Sequence, residues 1–592
     1  MRQPLDLLTL PPTPLPLDIA SLSRELFAPE HFVRDNVKEP LTVAELQRSQ
    51  SHDGDFERLR CFLAKLRQRR NVTIGVVGGS VSAGSSSLVR SDQSGLFHKK
   101  MQDWLHRRFP GVHVTHFNAA MPAVPPNYMQ HCLRLHVPVN ADLVFLEAAA
   151  NMCGPSDKHG FDECNEGRAS VERMLRQLLR LPNAPAVVMV HAYPYWTMVT
   201  PKGWSQKAHR NKRAERRGAA PPPRIPWLVE DDLTFTFHQQ WGHGTHEHMV
   251  DELAKYYALP SVSLRDVIWH HMKANATFHG LGLLQLYYDR IHPSDYGHTL
   301  LALGLAHLFK RAALHEALVA AAPAAVVGGG ATGARCPTGA AAPELLRPMD
   351  ASVDPASTTL ECFDAPALGR LIAPQRCDGW ALVVERSSLG APKPGWIATR
   401  PGATCELGWP LPADGAAPNQ LVGLGYLKSY EQMGRVRIEC TGDCDCKNVT
   451  LDAHHNAKMS PYDLRYLHLR TRNASSPGGA TAGAGAAGGA AAGAAAARRR
   501  CALRLTVLNE TSSGSHKFKL TALFLNRESD KAFFGGWIFG KAMDSKEKDA
   551  ISQLDYGASA GGGARVSNQL KRRGSKTPPS KHGKREPKLV VP

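Results

Sequence analysis

No stretch of this 592-residue chain approaches the ~20 consecutive apolar residues that a bilayer-spanning helix needs, which excludes an ordinary transmembrane span. Met1–Pro16 mixes Leu and Pro but has neither the charged lead nor the clean apolar core of a signal peptide. Either the protein is not secreted or this start is not the native one. Net charge is also scarce outside two segments. Of the formal +18, Lys202–Arg224 supplies +7 and Arg565–Lys588 supplies +8. Both are rich in Gly, Ala, Pro and Ser and lack a core-forming pattern, so they read as a mobile loop and a disordered tail. The near-neutral remainder argues against a fold that reads nucleic acid, and leaves at most a weak polyanion contact through the tail.

Cysteine is not scarce, but a second cysteine pair is. Eight of the twelve cysteines lie between Cys336 and Cys501, and Cys440, Cys444 and Cys446 crowd together. A zinc site of this kind wants a partner pair at similar spacing, so disulfides are the better reading. Sequons at Asn275, Asn448, Asn473 and Asn509 agree with a secretory route. His238, His243, His246 and His248 have the look of a metal cluster, but Gly242 and Gly244 interrupt them and no carboxylate is arranged with them. They read as a surface loop and helix start, and no metal or cofactor is expected.

What is present is an alternation of strands and helices. Val72–Val77, 112–117, 141–146, Ala186–His191 and 261–264 read as strands; 96–108, 128–135 and 166–181 read as helices, with a last helix from about Ser294. Such alternation over 71–316 predicts an α/β fold, a parallel sheet covered by helices on both faces. Reactive groups then belong at the carboxyl ends of the strands. Ser80 follows the first strand within Gly78-Gly79-Ser80, a turn after Asn118 follows the second, Asn151 follows the third, and Asp289-Arg290-Ile291-His292 precedes the last helix.

A serine hydroxyl needs a base, and histidine suits because it titrates near neutrality. Asp289, three residues before His292, can orient the imidazole while His292 faces Ser80. Donors for a developing oxyanion are the N–H of Ser80, an N–H in the 120–123 turn, and the Asn151 amide. His298 is expected to pack rather than catalyse.

In order and spacing these residues resemble the SGNH (GDSL-type) hydrolases, whose blocks hold a serine, a glycine, an asparagine and an Asp-x-x-His. The resemblance covers 71–316 and implies a three-layer hydrolase fold with Ser80, Asp289 and His292 catalytic and Ala123 and Asn151 on the oxyanion side. Three departures stand out. Gly79 replaces the usual aspartate before the serine; Ala123 stands in the glycine position, where a methyl group resists a positive φ; and Met152 replaces an aspartate, which is expected to loosen the Asn151 loop.

Beyond the Ala/Gly/Pro-rich linker at 317–358, segments such as Val436/Ile438/Cys440, Leu503/Leu505/Val507 and Phe518/Leu520/Ala522/Phe524 alternate as half-buried antiparallel strands do. A disulfide-rich β-sandwich-like domain over 359–530 follows, with an Ala/Gly insert at 478–497 and a basic tail at 531–592. Residues 1–70 form an N-terminal extension. The two-part plan resembles green-algal and plant-like SGNH proteins with a β-rich C-terminal module. Trp380, Trp396, Trp409 and Tyr426 are candidates for stacking on sugars, against the commoner role of core aromatics.

The expected function is a serine esterase that removes a short acyl or O-acetyl group from a small molecule or glycan, since no long apolar lid is evident. The alternatives are a glycan O-acyltransferase, or a glycan-binding or wall-associated protein with a decayed hydrolase domain.

Overall fold

The computed structural model describes residues 8, 19–32, 40–84, 93–122, 124–152, 162–192, 196–198, 235–237, 246–275, 277–287, 292–321, 336, 345–350, 353, 360–372, 374–386, 392–411, 419–455, 460, 462–472 and 499–526. The two basic segments, the Ala/Gly insert, His238 and His243 lie outside the described residues.

Six strands build the first sheet: β1 (Gln50–His52), β2 (Val72–Gly78), β3 (Val114–Asn118), β4 (Leu143–Glu147), β5 (Ala186–His191) and β6 (Ser261–Ser263). Their order is β1-β6-β5-β4-β2-β3. All pairings are parallel except that of β1 with β6, which is antiparallel. The expected parallel fold is present. The antiparallel edge strand β1 was not anticipated, because three polar residues carry no periodic signal.

Alternation along the buried strands feeds two layers. Leu143 and Phe145 of β4 share a core with α1 (Glu57–Arg67), α2 (Phe97–Arg108), α6 (Leu264–Asn275) and α7 (Asp295–Ala321). Val144 and Leu146 face α3 (Pro126–His136), α4 (Asp162–Leu179) and α5 (His246–Tyr256). Leu46, Leu59, Phe62 and Leu63 join the first layer, so the chain ahead of Asn71 is integrated into it.

After β2 the chain crosses to β3 on one side, then returns to β4 on the other. The carboxyl ends of β2 and β4 therefore flank the crevice where strand order reverses, the place such sheets use for ligands.

The C-terminal part is a sandwich of two antiparallel sheets around one core. The larger contains β7 (Leu360–Asp364), β8 (Trp380–Arg386), β9 (Pro392–Ala398), β11 (Asn419–Leu427), β13 (Cys444–Asp445), β15 (Tyr462–Thr471) and β17 (Phe518–Asn526). Its order is β8-β9-β17-β11-β15-β13, with β7 also paired to β17. The smaller contains β10 (Thr404–Pro410), β12 (Arg435–Gly442), β14 (Val449–Asp452) and β16 (Arg500–Val507), in the order β10-β16-β12-β14.

Five disulfides occur among the described residues. Cys377–Cys405, Cys440–Cys446 and Cys444–Cys501 lie within the sandwich. Cys61–Cys336 ties the segment before the sandwich to α1, and Cys132–Cys362 joins α3 to β7. Residues 345–350 also dock on α4, where the Glu172 carboxylate accepts the N–H groups of Met349 and Asp350 at 2.6 and 2.9 Å.

One detail of β17 departs from the simple alternation. Tyr426 of β11 pairs with Leu520 but Gly425 pairs with Ala522, so an extra residue, Thr521, interrupts the register. Such a bulge exchanges the faces beyond it. Phe518 and Leu520 point into the sandwich, as do Leu523 and Leu525, while Ala522 and Phe524 turn to the α/β part. The expected common face for 518, 520, 522 and 524 is thereby split.

Candidate active site

β2 is buried throughout Val72–Val77 and ends at Gly78-Gly79, after which Ser80–Ala83 makes one helical turn closed by Gly84 at φ +74°. Ser80 is the first residue of this turn, half-buried at the mouth of the crevice. His292 lies just before α7, and its Nε2 is 2.7 Å from Ser80 Oγ. A contact of this length is what transfer of the hydroxyl proton to imidazole requires.

The turn is held at both ends by buried polar groups. Glu147, the last residue of β4, ends an otherwise apolar strand and is buried. Its Oε2 accepts the N–H of Gly79 at 3.1 Å and the hydroxyl of Ser82 at 3.3 Å. Burial raises its pKa; the Gly79 and Ser82 N–H groups and the nearby His292 work against that rise without cancelling it.

On the other end, the Ser82 carbonyl accepts from Asn118 Nδ2 at 3.0 Å and from His98 Nε2 at 2.9 Å. A carbonyl can only accept, so His98 carries its proton on Nε2 and its Nδ1 accepts from His116 Nε2 at 2.9 Å. Burial and the adjacent His116 ring hold His98 well below the usual histidine range. Burial and the neighbouring Lys99 bring His116 to about 4.

Asn151 closes the opposite wall. Its loop leaves β4 as a short 3-10 turn, Ala149–Asn151, and its Nδ2 donates to the Val124 carbonyl at 3.1 Å. The amide lies directly over Gly79: a Cβ built there would stand 1.9 Å from Asn151 Nδ2. The bare backbone of Gly79 is what lets the Asn151 amide lie this close to the Ser80 turn; a side chain there would displace the amide. The facing turn is tied to β2 by Met121 N–H donating to Gly78 O at 3.0 Å.

Met152, which stands where a loosening of this loop was expected, is buried. It lies in the same apolar cluster as Val124, Val77, Ala148 and Ala149, and a side chain on Gly167 would collide with its carbonyl, at 2.2 Å. Apolar burial anchors the loop where a carboxylate was expected to.

The structure thus brings together Ser80, His292 and Asn151. Ala123 and Asp289 lie outside the described residues. His298 packs against Phe97, its rings 6.0 Å apart and stacked, and burial lowers its pKa to about 3. His246 opens α5, and His248 sits 3.6 Å from Glu252 on the same helix. Of the candidate sugar-stacking aromatics, Trp380, Trp409 and Tyr426 are buried. Trp409 donates to Gln420 Oε1 at 3.1 Å and Tyr426 to Asp463 at 2.9 Å, while half-buried Trp396 donates to the Ala365 carbonyl at 2.9 Å.

Sequence reasoning gave no role to His98, His116 or Ser82. Nor did it assign one to Glu147, although a carboxylate closing the all-apolar run Leu143–Leu146 is a signal that could have found it.

No protein-family model matches the chain, and no curated protein matches it. Among solved structures, two of a two-domain esterase (CEX) active on acetylated mannans are similar to it, at TM-scores of 0.52 and, for the form co-crystallised with mannopentaose, 0.51. They are 16% and 15% identical, cover 82% of this chain, and are themselves covered to 99% and 98%. A variant of Axe2, an acetyl xylan esterase from Geobacillus stearothermophilus, aligns with 41% of this chain at 12% identity and a TM-score of 0.26, with 96% of its own length covered. At these identities the first likeness is one of fold: an esterase-type α/β domain followed by a β-rich domain.

Proposed function

We propose that this protein is an SGNH-type serine esterase that removes a short acyl group, acetyl in particular, from a glycan. The observation that carries the proposal is the 2.7 Å contact between Ser80 Oγ and His292 Nε2 at the strand-order reversal of the sheet.

In this mechanism Ser80 Oγ attacks the ester carbonyl carbon while His292 Nε2 takes its proton. The C–O bond to the sugar breaks as His292 returns that proton to the leaving hydroxyl, and the acyl group remains on Ser80. Water, deprotonated by His292, then attacks the acyl-enzyme and releases the carboxylic acid. Asp289 holds His292 in the tautomer that leaves Nε2 free to accept. The Ser80 N–H, the Ala123 N–H and Asn151 Nδ2 bind the oxyanion. Asn151 Nδ2 has two hydrogens and uses one on Val124 O, so the second remains for the substrate.

A glycan substrate is supported by the likeness in fold to an esterase active on acetylated mannans, and a small acyl group by the absence of a long apolar lid segment from the sequence. Five disulfides and the exposed sequon residues Asn448 and Asn509 support an oxidising, extracytoplasmic setting. No helix among the described residues is long and apolar enough to cross a membrane.

The test is release of acetate from acetylated mannan, and of nitrophenol from its acetate ester, by purified protein and by Ser80→Ala. Full activity in Ser80→Ala contradicts the mechanism.

A further inference from the structure

The two parts of the chain do not have separate cores where they meet. One apolar cluster contains Val77 of the nucleophile strand, Val124 of the oxyanion turn, and Ala148, Ala149 and Met152 of the Asn151 loop. The same cluster contains Tyr462, Leu464, Ala522 and Phe524 of the β-rich part. α3 is the link. It begins directly after Val124: Pro125 caps the helix, and its carbonyl accepts from the N–H groups of Tyr128 and Met129 at 3.0 and 3.2 Å.

α3 presses its far face on the β-rich part. Buried Tyr128 meets Phe524 edge-on, centroids 5.4 Å apart, and Tyr462 at 5.9 Å. His131 lies 4.9 Å from the Phe524 ring, and its Nε2 is hydrogen-bonded to Tyr466 OH at 2.9 Å. Cys132 is bonded to Cys362.

Two further features of the β-rich part shape this face. The bulge at Thr521 turns Phe524 outward, and glycines beneath it make room. A Cβ at Gly423 would stand 2.6 Å from the Phe524 ring, and one at Gly425 would reach Tyr128 at 3.4 Å. Glycine inside a strand marks such a close approach.

We infer that the β-rich part positions the oxyanion side of the active site, acting through α3, with Tyr128, Phe524 and Tyr466 as positioning residues. The cause is mechanical. The oxyanion turn has one end on β2, through Met121, and the other on α3, so its spacing from Ser80 follows where α3 rests. The opposite side of α3 is set by α4, where Arg173 and Gln177 hydrogen-bond Gln130 at 3.3 and 2.8 Å. The β-rich part is the other jaw.

The inference rests on the esterase reading, and the experiment separates the two. In the full chain, Phe524→Ala, Phe524→Leu and Tyr466→Phe are compared with wild type for kcat and KM on nitrophenyl acetate, and for amide hydrogen exchange over 119–132 and 72–79. For Phe524→Ala the expected result is about a tenfold or larger fall in kcat with KM within about twofold, because a small misplacement of an oxyanion donor acts on the transition state. Exchange over 119–132 accelerates while 72–79 stays protected. Phe524→Leu recovers most of kcat, and Tyr466→Phe, which removes one hydroxyl and keeps the packing, shows the same pattern at a few-fold. If Phe524→Ala does not fold, the two milder variants decide.

Unchanged kcat in variants whose exchange accelerates overturns the inference, as does acceleration confined to the β-rich strands. Absence of esterase activity in wild type sinks the esterase reading. Exchange then decides the coupling alone: acceleration over 119–132 supports it and its absence overturns it.

Discussion

The Ser80 side and the Asn151 side of this candidate site are held by different physics. On the Ser80 side, a single helical turn is gripped by buried polar groups: Glu147 at its N–H end, His98 and Asn118 at its carbonyl end. On the Asn151 side, that residue and its facing turn rest on an apolar cluster that runs through Met152 and Val124 into the β-rich part. A polar clamp fixes direction but is sensitive to protonation and to loss of one partner. An apolar cluster is insensitive to pH but responds to lost volume. The two halves of one site should therefore fail under different insults.

The largest expected effect is on the chemistry itself. His292→Ala should lower kcat/KM by about three to four orders of magnitude with little change in melting temperature, read from ester hydrolysis and calorimetry. Asn151→Ala comes next, with a fall in kcat of about a hundredfold, or ~3 kcal/mol of barrier, and a nearly unchanged KM.

Glu147→Ala tests the clamp. It leaves the Gly79 N–H and the Ser82 hydroxyl buried without their acceptor, and denaturant unfolding should show a loss of about 2–4 kcal/mol. Met152→Leu, which keeps the volume and removes only the thioether, should cost less than about 1.5 kcal/mol in the same measurement. A reversed order of those two losses would erase the contrast between a polar and an apolar side.

The smallest effect is the pH dependence. His98 and His116 have folded pKa values below the ordinary 6.5, with His116 at about 4. As pH falls below 6.5 the unfolded chain takes up protons that the native state refuses, so stability present at neutral pH is lost between about 6.5 and 4. Glu147 acts in the opposite sense, since its raised pKa costs stability as pH rises through it. Melting temperature measured from pH 7 to 4 should fall, and less steeply in His116→Asn. A flat profile contradicts neutral buried imidazoles.

Much of the fold could be read from the chain because its strands are apolar and bounded by turn residues. Ala186–His191 was anticipated at both ends, and Val72–Gly78 and Leu143–Glu147 within a residue or two. Ser80, Asn151 and His292 stood out as candidates because each stands at such a strand end or before a helix, and the fold brings the three together. What escaped had no periodic signature. Gln50–His52 is too short and polar to announce a strand. The bulge at Thr521 leaves the pattern Phe518/Leu520/Ala522/Phe524 intact in the sequence while the geometry slips by one residue, so the face that meets α3 was invisible. His98 bonds His116 directly through its Nδ1 and the Ser82 carbonyl, 16 residues before it, through its Nε2, pairings that no local spacing encodes. Met152 was judged by the aspartate it replaces, whereas its burial beside Val124 accounts for the loop.

The most direct measurement is labelling by a fluorophosphonate probe, wild type against Ser80→Ala. Attack by Ser80 Oγ needs His292 as base and an oxyanion pocket, so one adduct reports the assembled site. The predicted result is a single modification on Ser80 in wild type and none in Ser80→Ala. Equal labelling of both, or no labelling of folded wild type, contradicts the account.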